Sequence, residues 1–466
     1  MTGPELIAWL DNQARPQREK LAEVRGHVAM IRALHDDEHA AVVRTLKKRL
    51  GSPKLAGELA ALLRELADRT PNPRPRSPAE PAPAPAPEPE PPPLPAPVRP
   101  DETAERLVAE IAADPEAQAP YIVYGDWLAA RGDPRGELVT IGHALAKNPH
   151  HKAMLEAHRA HLAAHAERLL GPLASCEDLV TEHDWYMGFL RACRVAYTLD
   201  RYNDGPQIAI EDVIRWLVDA PGPARFLQKL TVGIVQFNDQ NSYAGVGRVL
   251  ANKPRPALRT LALGDFTYEE TELNWSAIGD IDALWPQVPN LRSLWLRSGS
   301  LDITAIDLPR LESLEVVSGG LDAGSARAIA AAAWPALVKL SLMFGPGPRG
   351  GCADVAVVAP ILAGARLPKL RKLGLANCDF TDELASLLPR AAILPQLEEL
   401  DLSQGTLSDA GARILAGHRD KLAHLRLIVD ENFLTPDGLE LLRGTVATLV
   451  PGQQRSGPDR YAAMYE

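Results

Sequence analysis

Three histidines, His158, His161 and His165, stand at i, i+3 and i+7, a spacing that lines up imidazoles along one helix face. Such a set, completed by a water, can hold zinc for hydrolytic chemistry. The simpler reading is a core seam flanked by histidines, because Leu155, Leu162 and Leu169 recur on the same side. A second pair, His35 and His39 in "HDDEH", also shares a helix face. There Asp36 stands where a metalloprotease of the HExxH type needs its glutamate, so a solvated polar face explains it better. A third concentration, "YIVYGDWLAARGDPRGE" from Tyr121 to Glu137, sets Asp126, Asp133 and Glu137 among aromatic rings. No nucleophile or histidine lies beside these carboxylates to complete an acid–base pair. "FGPGPRGG" (344–351) lacks the Lys-Ser/Thr ending of a phosphate loop, and no GxSxG elbow occurs. The sequence therefore assigns no catalytic residue, no metal site and no cofactor. The alternative to a non-enzymatic chain is a metal-dependent enzyme or regulator with its site in the N-terminal helical regions.

The elements that would position these groups fall into five segments. Residues 1–70 form a helical module, in which "LAEVRGHVAMIRALH" and "KLAGELAALLRELADR" space apolar residues three and four apart. Its basic run "RTLKKRL" (44–50) has acids nearby and reads as an amphipathic face. Residues 71–100 are Pro-rich, a polyproline-II spacer that at ~3.1 Å per residue reaches up to roughly 90 Å. Residues 101–185 are again helical, 186–450 carry a repeat, and 451–466 form a C-terminal tail.

The repeat is L-x-x-L-x-L. It begins at residues 227, 258, 291, 311, 337, 370, 397 and 422, and "LRACRV" at 190 is a degenerate earlier copy. Short strands stacked in parallel would bury the fourth and sixth residues of each copy. Ser408, Thr435, Thr381 and Asp322 are the expected N-caps of intervening helices. No copy can bury its apolar face alone, so only the stack is stable. The fold class that follows is an α/β solenoid, a leucine-rich-repeat horseshoe with parallel strands inside and helices outside, preceded by all-α modules. The ninth position, commonly Asn or Cys, is Cys378 in one copy and Gly299, Gly319, Gly345 or Gly405 in four others. Cys378 is thus expected to be a buried thiol.

A net charge of −10 lacks the basic stripe of a nucleic-acid binder. Cys176, Cys193, Cys352 and Cys378 are scattered without a CxxC pair, which fits free thiols in a reducing compartment. "MTGPELIAWLDNQ" has no basic segment followed by an apolar one, and no apolar run is long enough to span a bilayer. The expectation is a cytoplasmic protein with neither nucleic-acid nor membrane partner.

Residues 258–444, with "GDFTYEETELNWSAIGDIDALWPQVPNLRSL" and "LEELDLSQGTLSDAGARILAG", resemble a bacterial cytoplasmic leucine-rich-repeat family. The stretch 107–145 is similar to the repeat-companion domain of myxobacteria and planctomycetes, whose signature runs Tyr-Ala-Asp-Trp-Leu-x-x-x-Gly-Asp-Pro-x-Gly-Glu. Tyr124, Asp126, Trp127, Leu128, Gly132, Asp133, Pro134, Gly136 and Glu137 match it, and Gly125 replaces the usual alanine. Both resemblances imply modular association, with no particular reaction. From the residues themselves, the Tyr124 and Trp127 rings are expected to form the core of a helical hairpin. Gly132 would end its first helix and Asp133-Pro134 begin the second. Asp126 and Glu137 would bind backbone amides or Arg131 and Arg135.

The surface left for function is the concave side of the sheet, where third, fifth and seventh repeat positions point. The expected partner-binding residues there are Lys229, Trp295, Arg297, Glu315, Lys339, Met343, Glu399, Asp401, His424 and Arg426. Asp401 would face Arg426, and Glu399 would face His424. Trp295 supplies an aromatic anchor, and the mixed signs point to a protein partner.

Overall fold

The computed structural model describes residues 101–463 apart from 177, 205–206, 220–221, 238–239 and 458. The expectations for the helical module 1–70, its His35/His39 pair, and the Pro-rich segment 71–100 lie outside the described residues.

The described chain opens with five helices, α1 (Glu102–Ala113), α2 (Gln118–Ala129), α3 (Arg135–Lys147), α4 (Lys152–Ala164) and α5 (Ala166–Leu170). Asp101 starts α1 by accepting the Ala104 amide at 3.0 Å. Leu107 and Ile111 of α1, and Tyr121, Tyr124 and Leu128 of α2, turn one stripe inward. Gly125 and Gly136 let α2 and α3 touch: a Cβ on Gly125 would lie 2.8 Å from Val139, and one on Gly136 would lie 2.7 Å from the Ala129 amide. Packing of α2 on α3 thus leaves no room for a side chain at residue 125.

The helical segment is shorter than expected. It ends by residue 175, and β1 (Val180–Tyr186) folds back on β2 (Phe189–Val195) as an antiparallel hairpin. Met187 (φ +48°) and Gly188 (φ +78°) both take the left-handed conformation that a two-residue hairpin turn demands. From β2 onward the sheet is parallel, in the order β2, β3 (Lys229–Val232), β5 (Thr260–Leu263), β7 (Ser293–Ser298), β8 (Ser313–Ser318), β9 (Lys339–Met343), β10 (Lys372–Ala376), β11 (Glu399–Asp401), β12 (Arg426–Ile428) and β13 (Thr448–Val450). With β1 this makes an 11-stranded sheet, while β4 (Asn241–Ser242) and β6 (Ser276–Ala277) form a separate short pair.

Between the strands come α6 (Leu199–Asp204), α7 (Ile210–Val218), α8 (Ala244–Ala251), α9 (Ala323–Ala331), α10 (Ala359–Ala363), α11 (Thr381–Leu387), α12 (Asp409–Ala416), α13 (Arg419–Leu422) and α14 (Pro436–Arg443), together with short 3-10 turns. The result is a solenoid-like α/β arrangement. Register stacks Leu230, Leu261, Leu294, Leu314, Leu340, Leu373, Leu400 and Leu427 in one column, each at most 1% exposed. Each such side chain contributes about 1.5–3 kcal/mol by leaving water, and one continuous core carries the stack.

Asp322, Ser408 and Thr435 cap α9, α12 and α14 through their side chains. Thr381 does not cap α11. It lies inside the helix, and its hydroxyl donates to the Cys378 carbonyl at 2.9 Å.

Helices and sheet share a second core. The Tyr121 ring packs on Phe189 of β2 and on Phe226, with centroids 6.0 and 5.5 Å away. Tyr186 donates to the Glu116 carbonyl at 2.8 Å. A Cβ on Gly142 of α3 would lie 2.6 Å from the Gly188 nitrogen, so helix and hairpin backbones are in direct contact. The helices thus close the first edge of the sheet. Among the described residues, no helix is long and apolar enough to cross a membrane.

Candidate functional site

Strand alternation sends every second residue to the sheet face opposite the buried leucines. Register places Ala192, Lys229, Thr260, Ser293, Ser313, Lys339, Lys372, Glu399, Arg426 and Thr448 in one row there. The row beside it runs Arg194, Thr231, Ala262, Trp295, Glu315, Ser341, Gly374, Asp401, Ile428 and Val450. Trp295 lies between Ala262 and Glu315, with serines at 293 and 313 nearby, so its half-buried indole stands among shorter side chains.

The charges on this face largely satisfy one another. Lys339 meets Glu315 at 2.6 Å, and Arg426 meets Glu399 at 2.6 Å. This second pair corrects the expected facing partners. Leu427, not Leu425, lies opposite Leu400, so Arg426 sits across from Glu399 and Asp401 across from Ile428. His424 falls off the strand, with its Nε2 3.3 Å from the Leu394 carbonyl, and Asp401 accepts the Ser403 amide at 2.9 Å. Pairing Leu400 with Leu427 spaces the last two copies 27 residues apart where the motif starts at 397 and 422 imply 25, which moves the frame by two.

Two seventh-position residues also depart from expectation. Met343 is only 8% exposed and therefore offers no open contact. Arg297 is drawn inward: its guanidinium donates to the Phe266 carbonyl and stacks 4.4 Å from the Phe266 ring. Seventh positions lie at strand ends, where the edge loops close over them. One such loop, 264–275, forms a lip that Arg194 grips from β2 through Asp265 at 2.5 Å. The lip exposes Tyr268 (61%) and Trp275 (60%), two aromatic side chains that the sequence reading passed over. Their placement in an irregular insertion gave no periodic signal.

The corrected frame reveals another missed residue. Asn432 occupies the ninth position of the last copy. Its Oδ1 accepts the Leu407 amide at 2.8 Å, and its Nδ2 donates to the Leu402 and Val429 carbonyls. Cys378 holds the equivalent place two copies earlier, and burial pushes its thiol up to about 12.

The chemistry-bearing clusters resolve to packing. His158 is 8% exposed and stands edge-on to Trp185 at 5.3 Å, and burial pulls its imidazole below the ordinary value. His161 points elsewhere, with Nε2 2.9 Å from the Pro134 carbonyl. No group of three metal-binding side chains converges among the described residues. In the carboxylate stretch, Tyr124 is buried and Trp127 stacks on it at 5.8 Å. Gly132 (φ +68°) ends α2 in the left-handed conformation.

Asp133 is the working carboxylate there. It accepts the Arg135 amide at 3.0 Å and pairs with the Arg135 guanidinium at 2.5 Å. Burial alone would raise its pKa, but the Arg135 hydrogen bonds outweigh that and hold it below the ordinary range. Asp126 and Glu137 differ from expectation: both are exposed, and neither pairs with Arg131 or Arg135 among the described residues. Arg131 instead binds Asp101 at 2.8 Å and lies over Trp127 at 4.0 Å.

No family model matches the chain, and no curated protein matches it. Among solved structures it is similar to a Bacteroides fragilis protein determined as a structural-genomics target, at 23% identity and a TM-score of 0.52, over 67% of this chain and 86% of that one. That likeness extends to the fold alone.

Proposed function

We propose that this chain is a non-enzymatic scaffold, a leucine-rich-repeat horseshoe whose concave sheet face binds another protein. The observation that carries the reading is Trp295 among short neighbours on a face lined by Lys229, Lys339, Glu315, Glu399 and Arg426. An aromatic group with low neighbours presents its ring to a partner, and binding energy concentrates in such residues. The lip adds Tyr268 and Trp275 as further anchors at the rim. Alternating Lys–Glu and Arg–Glu pairs disfavour a polyanion and favour a surface of mixed polarity.

The test is affinity capture from native lysate with the wild-type chain and with Trp295→Ala. Loss of a captured protein, with the melting profile unchanged, supports the reading. Identical captures for both chains refute it.

A further inference from the structure

The C-terminal segment does not end at β13. It turns back and runs across the loops that follow β12, β11 and β10. Residues 453–455 lie beside 430–434: Gln453 donates its amide to Asp430 at 2.6 Å, and the Arg455 amide donates to the Asn432 carbonyl at 2.7 Å. The Arg455 guanidinium donates to the carbonyls of Glu431, Gln404 and Gly405 and stacks over Phe433 at 4.6 Å. Arg460 reaches the next copy, donating to Asp382 at 2.5 Å and to the Thr406 carbonyl at 2.9 Å. The Ala462 amide then donates to Asp379 at 2.8 Å, and the Ala463 amide to the Gln404 carbonyl.

This is how a protein recognises an extended peptide: backbone amides and two arginines against fixed carbonyls and carboxylates. The two receiving carboxylates are held in place independently of the tail. Ser408 holds Asp382 through its amide at 2.8 Å and its hydroxyl at 2.7 Å, and the Gly347 amide holds Asp379 at 3.0 Å. By contrast, the tail contributes little apolar burial. Ala462 and Ala463 are its buried apolar residues, and Tyr461 is 51% exposed. The Arg460–Asp382 pair is partly open to solvent, where such pairs are weak. Asn377, two residues before Asp379, is 1% exposed with both amide atoms unpartnered.

We infer that the loop edge spanning residues 377–434 is a binding track for an extended peptide carrying two arginines five residues apart, and that the chain's own tail occupies it in cis until a partner segment displaces it. The track lies along the loops at the C-terminal ends of the strands, so the inference stands apart from the concave-face proposal. A tethered tail competes at roughly millimolar effective concentration, which sets the expected contrast.

The probe is a fluorescent synthetic peptide of residues 451–466, titrated into the full chain and into the full chain bearing Arg455→Glu and Arg460→Glu. The released variant should bind at least about tenfold tighter than wild type. A peptide with both arginines replaced by alanine, or with one residue inserted between them, should lose binding. Equal affinity for the two chains, or no binding to a released variant with wild-type circular dichroism, overturns the inference. Hydrogen exchange on the wild-type chain gives an arm that needs no variant. Amides 453–463 should exchange well ahead of β10–β12 and speed up when excess unlabelled peptide is added. A tail that exchanges as slowly as those strands is a fixed cap, which also overturns it. Concentration-dependent dimerisation by light scattering, lost on tail release, would make the occupant a second copy and overturn the commitment to a partner segment.

Discussion

Replacing Gly142 by alanine sets two effects of opposite sign against each other. In a helix interior alanine is favoured over glycine by about 0.8–1 kcal/mol, and residue 142 lies in the middle of α3. Against this, the new Cβ would lie 2.6 Å from the Gly188 nitrogen, 2.9 Å from the Met187 Cα and 3.0 Å from the Met187 carbonyl carbon. All three are backbone atoms of a two-residue turn, so no side chain can swing aside. Relief requires α3 and the hairpin to separate by about 1 Å, and overpacking of this kind costs about 1–3 kcal/mol. The same movement loosens Tyr121, Tyr124, Phe189 and Phe226, which share that core. The net expectation is destabilisation by about 1 kcal/mol or more. Gly444→Ala is the control: its φ of −72° suits alanine, and the nearest atoms to a Cβ are 3.6 Å away, so it should stabilise by about 0.4–1 kcal/mol. Urea unfolding followed by circular dichroism reads both midpoints. A higher midpoint for Gly142→Ala would refute the claim that the helices and the sheet are in rigid backbone contact.

Other outcomes follow from single groups. Replacing Asp133 by alanine removes a helix start and an ion pair to the Arg135 guanidinium, which is only 12% exposed. It should cost at least about 1–2 kcal/mol, read as a lower urea midpoint. The lowered pKa of His158 means that the unfolded chain binds a proton first as pH falls below 6.5. Stability should therefore decline from about pH 6.5 down to the lower folded-state value, and His158→Phe should flatten that decline in midpoints taken at pH 7.5 and 5.5. An unchanged slope would contradict the burial argument. Cys193 and Cys378 are pushed up to about 12 by burial, and all four thiols are buried. The native chain should resist a thiol-disulfide reagent that labels all four after denaturation. Lys339→Ala removes a surface pair at the Glu315 carboxylate and should move stability by less than about 1 kcal/mol.

The stacked strands were legible because leucines at fixed spacing mark residues that face one core, and Leu230 through Leu400 fall into register as read. The last copy was not, because "LAHLRLIV" matches the full pattern from Leu422, while the neighbouring strand selects a frame that begins at His424 and keeps only its fourth and sixth positions apolar, Leu427 and Val429. That choice moved Arg426 opposite Glu399 and concealed Asn432. β13 is three residues long, too short for any periodicity to announce it. The β1–β2 hairpin turns on Met187, a residue whose left-handed conformation no turn signal foretells. At the surface, Trp295 and the lysines and acids of the third and fifth positions could be placed by alternation. The inward turn of Arg297 could not, because it depends on an insertion folding over the strand ends.

The aromatic cluster joining helices to sheet has a consequence for biosynthesis. Tyr121 meets Phe226, 105 residues further along the chain. At about 5–20 residues per second, a ribosome needs roughly 5–20 s to deliver that ring. Through that interval the nascent helices carry tyrosines with nowhere to bury them. Helices that emerge before the sheet are thus among the later elements to settle, and whatever holds nascent chains in the cell meets those unsheltered rings.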